Sequence, residues 1–143
     1  MIKVKVTNNS DNPLPEYKKE GDSGMDIRSN QQELIRKNDT KVIFTGLHVE
    51  IPNGYEIQVR SRSGLAAKHN VFVLNEPGTI DSSYRGEIMI ILHNVGENDF
   101  WVNKGDRIAQ LVLQKVPMIS WEETDKLSET DRGKSGIGST GVK

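Results

Sequence analysis

Cysteine is absent from the 143-residue chain, which excludes disulfides, thiolate metal sites and cysteine nucleophiles together. Long hydrophobic runs are absent too, and no stretch approaches the length needed to cross a bilayer. The opening MIKVKVTNNS alternates charged and β-branched residues and lacks the apolar heart of a secretory leader, so the cytosol is the expected compartment and no membrane partner is expected. Neither sign of charge dominates: 19 Lys+Arg stand against 20 Asp+Glu, a net charge of −1. Bulk electrostatics therefore draws the protein neither to nucleic acid nor to an anionic surface. With aromatics at 6% as well, a nucleic-acid-binding barrel fits poorly. Even apolar residues are sparse, at 34%, and a chain with a modest core often gains further burial by association. The length suits one domain that can bury a core without staples.

What is present is alternation. Residues 2–6 (IKVKV), 41–51 (KVIFTGLHVEI) and 55–60 (YEIQVR) read as period-two strands. Residues 71–74 (VFVL), 87–92 (EIMIIL) and 107–116 (RIAQLVLQKV) read as strands richer in continuous β-branched residues. Turn clusters such as NPLP, PNG, EPG, VGEND and NKGD separate them. Short strands at this spacing predict an all-β sandwich or jelly roll, with a single helical turn near residues 64–69. After Trp121 the composition changes: residues 122–131 (EETDKLSETD) hold five acids, one base and one apolar residue. They read as an exposed linker between an all-β unit, residues 1–121, and a glycine-rich arm, residues 132–143.

That arm contains RGKSGIGSTG, with the G-x-G-x-x-G spacing of a phosphate-wrapping loop. A Rossmann assignment fails because no strand–helix unit surrounds it. A P-loop assignment fails because Ser128 stands where the first Walker glycine belongs. Four further stretches combine polar chemistry with strand or turn context. NEPGTIDSSYRGEI (residues 75–88) is expected to form a β-hairpin, either simply structural or rimming a pocket with Asp81 as a general base. RSRSGLA (residues 60–66) offers arginine forks and hydroxyls suited to phosphate, or a solvated strand end. GDRIAQL (residues 105–111) reads as a turn and a buried strand in which Gln110 needs a hydrogen-bond partner. SGMDI (residues 23–27) sets Asp26 between apolar neighbours, where a carboxylate is paired, near a metal, or on the wet face.

Taken in order, SGMDIRS, RSGLA, GTIDSSYRGE, GDRIAQL and RGKSGIGSTG resemble the five motifs of the trimeric dUTPases (dUTP nucleotidohydrolases), spread over almost the whole chain. The resemblance implies a jelly-roll homotrimer whose active sites lie between subunits and are closed by an exchanged C-terminal arm. It implies Mg²⁺-dependent hydrolysis of dUTP to dUMP and pyrophosphate, which keeps uracil out of DNA and supplies dUMP. It implies that Asp81 activates the attacking water, while Asn75, Gly78, Thr79 and Ile80 read the nucleoside. Tyr84 would pack against the deoxyribose and exclude a 2′-hydroxyl, with Met89 lining the same pocket. Arg62, Ser63, Gly64 and Gln110 would hold the phosphates. Arg132, Ile137, Gly138, Ser139 and Thr140 would come from the arm. Mg²⁺ would be held through substrate and water, with Asp26 organising that side indirectly. Ile137 departs from the family pattern, which has an aromatic there; an aliphatic side chain can cover the uracil but cannot stack on it.

Two other functions fit the same scaffold. A dCTP deaminase would need a glutamate on the strand after the base segment, but that register falls on Ile91. A nucleotide-binding regulator would bind dUTP without hydrolysing it. His48, His69 and His93 show no ligand spacing and are expected to be structural or surface residues. Trp101 and Trp121 are expected to anchor a core or a subunit interface.

Overall fold

A computed structural model describes residues 1–142. The expected arm therefore ends, at Lys143, outside the described residues. The strands in chain order are β1 (Lys5–Asn8), β2 (Met25–Arg28), β3 (Glu33–Ile35), β4 (Thr40–Glu50), β5 (Tyr55–Arg60), β6 (Val71–Val73), β7 (Gly78–Ile80), β8 (Glu87–Asn94), β9 (Phe100–Val102) and β10 (Arg107–Lys115). One helix, α1 (Ser63–His69), lies between β5 and β6. No helix among the described residues is long and apolar enough to cross a membrane. All pairings are antiparallel, in two four-stranded sheets, β1-β4-β8-β6 and β2-β10-β5-β7, and a small β3-β9 ladder.

The two large sheets face each other as a jelly-roll sandwich, and alternation explains the core. On β8, Ile88, Ile90, Leu92 and Asn94 point inward while Glu87, Met89, Ile91 and His93 face out. From the other sheet Ile27, Ile57, Val59 and Leu111 meet them. β10 breaks the period: Ile108 and Ala109 are both buried because the register against β2 shifts between Arg107 and Ala109, the signature of a bulge. β4 bends likewise at Gly46, whose φ of +75° suits glycine. Its N–H is taken by the Glu87 carboxylate at 2.7 Å.

Two expectations change and a third narrows. The first strand begins at Lys5 rather than Ile2, because its partner β4 ends at Glu50, opposite Lys5. Ile2 and Val4 instead line an apolar groove with Leu47 and Leu111. Residues 75–88 do not form a β-hairpin. β7 pairs with β5, while β6 and β8 pair with each other in the opposite sheet, so the chain crosses between layers at residues 74–77. Trp101 and Trp121 are 54% and 89% exposed, so of the two places expected for them the chain's own core is excluded and a subunit interface is left. Residues 122–131 are all exposed and without regular structure, as the composition suggested.

Candidate functional site

β7 carries the first group of side chains. Its ladder with β5 sets Val59 opposite Gly78, Gln58 opposite Thr79 and Ile57 opposite Ile80. The approach at Gly78 is close: a Cβ there would stand 3.0 Å from the Val59 Cβ. β7 and β8, from opposite sheets, both line an open cavity of about 230 Å³. Asn75, Gly78, Thr79, Ile80, Tyr84 and Met89, six residues expected from the sequence to read a nucleoside, all line it. Val42, Val59 and Ile91 complete an apolar wall that the motifs did not indicate. Glu87 also lines the cavity, but its carboxylate is committed to Gly46.

Asp81 follows β7 directly and is exposed. Its carbonyl accepts the Tyr84 N–H at 3.1 Å, and the resulting turn brings the Tyr84 ring back over the chain. Its carboxylate has no hydrogen-bond partner among the described residues, so it can take a water. The Tyr84 hydroxyl donates to the Glu87 carbonyl at 2.8 Å. That return is possible only because residue 86 is glycine: a Cβ there would lie 2.3 Å from the Tyr84 Oη and 2.4 Å from Cζ. Gly86 was missed from the sequence, although a glycine two residues after an aromatic is the available signal.

The second group gathers where β2, β10 and the end of β5 meet α1. Asp26 accepts from Arg62 Nε at 3.0 Å, and Arg107 Nη1 stands 3.7 Å from its other oxygen. Arg62 also donates to the Arg107 carbonyl at 3.0 Å. Asp26 is thus the paired carboxylate that the sequence allowed for. With both side chains about a quarter exposed, the Arg62 pair contributes on the order of 1 kcal/mol and chiefly fixes direction. Arg28, Arg62 and Arg107 line an open cavity of about 330 Å³ together with Asp106, a surplus of positive charge suited to an anion. Gln110 finds its partner: Nε2 donates to the Ser61 carbonyl at 2.9 Å. Gly24 leaves space for the amide, since a Cβ there would lie 2.4 Å from the Gln110 Oε1. Ser63 and Gly64, at the start of α1, are exposed beside this cluster. The contacts of Ser61, Gly24 and Arg107 were not anticipated, because their partners are distant in sequence.

The third group stands apart. Arg132, Ile137, Gly138, Ser139 and Thr140 are exposed and line neither cavity. The arm is a run of tight turns, with Ser135 N–H on the Arg132 carbonyl and Ser139 N–H on the Gly136 carbonyl. The two cavities also share no lining residue. Within one chain the expected site residues therefore fall into three separate groups. Among the described residues no cluster of three or more His, Asp or Glu could hold a metal ion, and Asp26 is engaged by two arginines.

Known proteins resemble this chain over almost its whole length. The dUTPase family model matches residues 3–141. The deoxyuridine 5′-triphosphate nucleotidohydrolase of Rickettsia felis is 48% identical over 143 residues, covering 99% of this chain and 97% of that protein. Among solved structures, a Staphylococcus bacteriophage 80alpha dUTPase with dUpNHpp superposes with a TM-score of 0.91 at 28% identity, over 98% of this chain and 99% of that one. A phage phi11 dUTPase mutant, described as coordinating a structural Mg(II) ion, shares the fold with a TM-score of 0.82 at 24% identity, over 89% of this chain and 99% of its own.

Proposed function

The chain belongs to the dUTPase family, and from that premise we propose that it hydrolyses dUTP to dUMP and pyrophosphate, keeping uracil out of DNA and supplying dUMP. The observation that carries this reading is the clustering of Asn75, Gly78, Thr79, Ile80, Tyr84 and Met89 around one cavity, with the exposed Asp81 next in sequence to Ile80. At about 230 Å³ it lies below the roughly 300–1,000 Å³ of drug-sized pockets, a size for a base and sugar rather than a whole nucleotide.

Backbone and Asn75 groups bind the uracil edge; cytosine leaves them unpaired and is rejected. Tyr84 covers the sugar. Asp81 takes a proton from a water whose oxygen bonds to the α-phosphorus in line as the bond to the bridging oxygen of pyrophosphate breaks. The exposed position of Asp81 after a rigid strand supports that role. Arg62, Ser63, Gly64 and Gln110 take the phosphates, where the charge of the transition state develops. Arg132, Ser139 and Thr140 add contacts from the arm, whose Gly138, with φ of +74°, supplies the turn and whose Ile137 covers the base. Among the described residues no carboxylate cluster suits a resident metal cage, so Mg²⁺ would be held mainly by the triphosphate and water and would supply charge neutralisation there. Asp26 serves that side by ordering the arginines.

Three copies of the chain complete the sites. Separate cavities and a detached arm within one chain support a site assembled between subunits. So do the exposed Val42, Phe44, Trp101, Met118, Ile119 and Trp121, an apolar surface that association would cover. The β8 position at which a deaminase would carry its glutamate is Ile91, which favours hydrolysis over deamination. Pyrophosphate release from dUTP, dCTP and UTP tests the reading. Release from dUTP alone, lost in Asp81→Asn, supports it; an active Asn variant or equal use of dCTP refutes it.

A further inference from the structure

Every polar group of Ser61, the residue between β5 and Arg62, is engaged. Its N–H donates to one oxygen of the Glu76 carboxylate at 2.7 Å and its hydroxyl donates to the other at 2.7 Å. Its Oγ accepts the Val73 N–H at 2.9 Å, and its carbonyl accepts the Gln110 amide at 2.9 Å. A carboxylate on the segment entering the nucleoside cavity thus grips the residue from which the Arg62–Ser63–Gly64 turn departs. That residue in turn holds Gln110. A carboxylate suits this task because it offers two acceptor oxygens and no donor, matching the two donors of Ser61, and charge-assisted bonds of this kind are short and directional.

We propose that Glu76 is a positioning residue for the reaction, acting through Ser61 to fix Gln110 and the 62–64 turn for the phosphates. The inference rests on the assignment of those residues as phosphate ligands. The nucleoside cavity does not depend on Glu76 in the same way, because β7 is held independently by its three-pair ladder with β5. Glu76 itself is exposed. Its removal leaves the Ser61 N–H open to water rather than orphaned in the core, so the loss falls on positioning rather than on folding.

The test uses the full-length protein and three readouts: kcat/KM for dUTP, affinity for dUpNHpp, and the inhibition constant of deoxyuridine, which has no phosphate. In Glu76→Ala the first two fall about tenfold, the equivalent of two exposed hydrogen bonds, while deoxyuridine inhibition stays within about twofold. Glu76→Gln, which keeps one acceptor, loses less. In a Gln110→Ala background Glu76→Ala costs under about twofold, because the two act in one chain of contacts. An unchanged Ala variant, equal losses for deoxyuridine and dUpNHpp, or fully multiplicative losses with Gln110→Ala overturns the proposal. So does tighter dUpNHpp binding by Glu76→Gln, which would mark Glu76 as a mere repelling charge. Should the Ala variant fail to fold, the Gln variant carries the same comparisons. A wild-type protein inert toward dUTP overturns the site assignment itself; an active wild type with an unaltered Ala variant overturns only the role of Glu76.

Discussion

Replacing Gly86 with alanine isolates what the seat of Tyr84 contributes. The new Cβ would lie 2.3, 2.4 and 2.8 Å from Oη, Cζ and Cε2 of the Tyr84 ring, where carbon contacts need about 3.5–4.0 Å. The ring has to retreat by over about 1 Å, and its hydroxyl loses the Glu87 carbonyl, a bond of about 0.5–1.5 kcal/mol. Overpacking in a closed core costs about 1–3 kcal/mol, but Tyr84 is 39% exposed and can swing outward. The stability loss therefore sits near 1–2 kcal/mol, a fall of a few degrees in Tm. The functional loss is larger and specific. With the ring displaced, the wall beside the sugar opens, and the preference for dUTP over UTP drops by about 10–100-fold, the range for one steric group in a pocket. Pyrophosphate release with each nucleotide gives the ratio of kcat/KM values. Tyr84→Phe is the control: it loses the hydroxyl bond but keeps the ring, so discrimination should hold within a few-fold. A Gly86→Ala enzyme that still rejects UTP as the wild type does would show that the Tyr84 ring is not the wall.

Ending the chain at Asp131 should leave Tm unchanged, because residues 132–142 are all exposed, yet lower turnover of dUTP about 10²-fold or more through lost phosphate donors. Ile137→Phe should lower KM by about threefold, the lower range of an aromatic stacking gain, with kcat little altered. Asn94→Ala should cost about 3 kcal/mol in urea unfolding, since the fully buried amide serves the Ile35 and Asn98 carbonyls and the Gly96 N–H, and each buried group left unpaired costs about 1–3 kcal/mol.

Local pattern reached the parts of the molecule that local forces determine. β5 runs over residues 55–60 as its alternation predicts, and α1 exceeds the predicted helical turn by one residue. The partners of strands were beyond that reach. Pro77-Gly78 reads as a hairpin turn, but which strand Gly78 joins depends on Val59, nineteen positions earlier, leaving it room. β3 and β9, three residues each, are too short for a period to emerge. The site divides along the same line. Thr79, Ile80 and Tyr84 could be placed together because one short segment carries them. The demand of Gln110 for a partner was legible from its apolar neighbours, whereas the identity of that partner, Ser61, was not. The Glu76–Ser61 clasp and the Gly24 clearance for Gln110 join residues with no sequence relation. Trp101 and Trp121 show the remaining gap: a single chain's burial does not report what an assembly covers.

Hydrolysis of dUTP in ¹⁸O-labelled water tests the central claim most directly, by following which product takes up the oxygen. Attack on the α-phosphorus by a water that Asp81 deprotonates places the label in dUMP and none in pyrophosphate, and Asp81→Asn slows its appearance by about 10²–10⁴-fold. Label in pyrophosphate, or an undiminished rate in the Asn variant, contradicts the account.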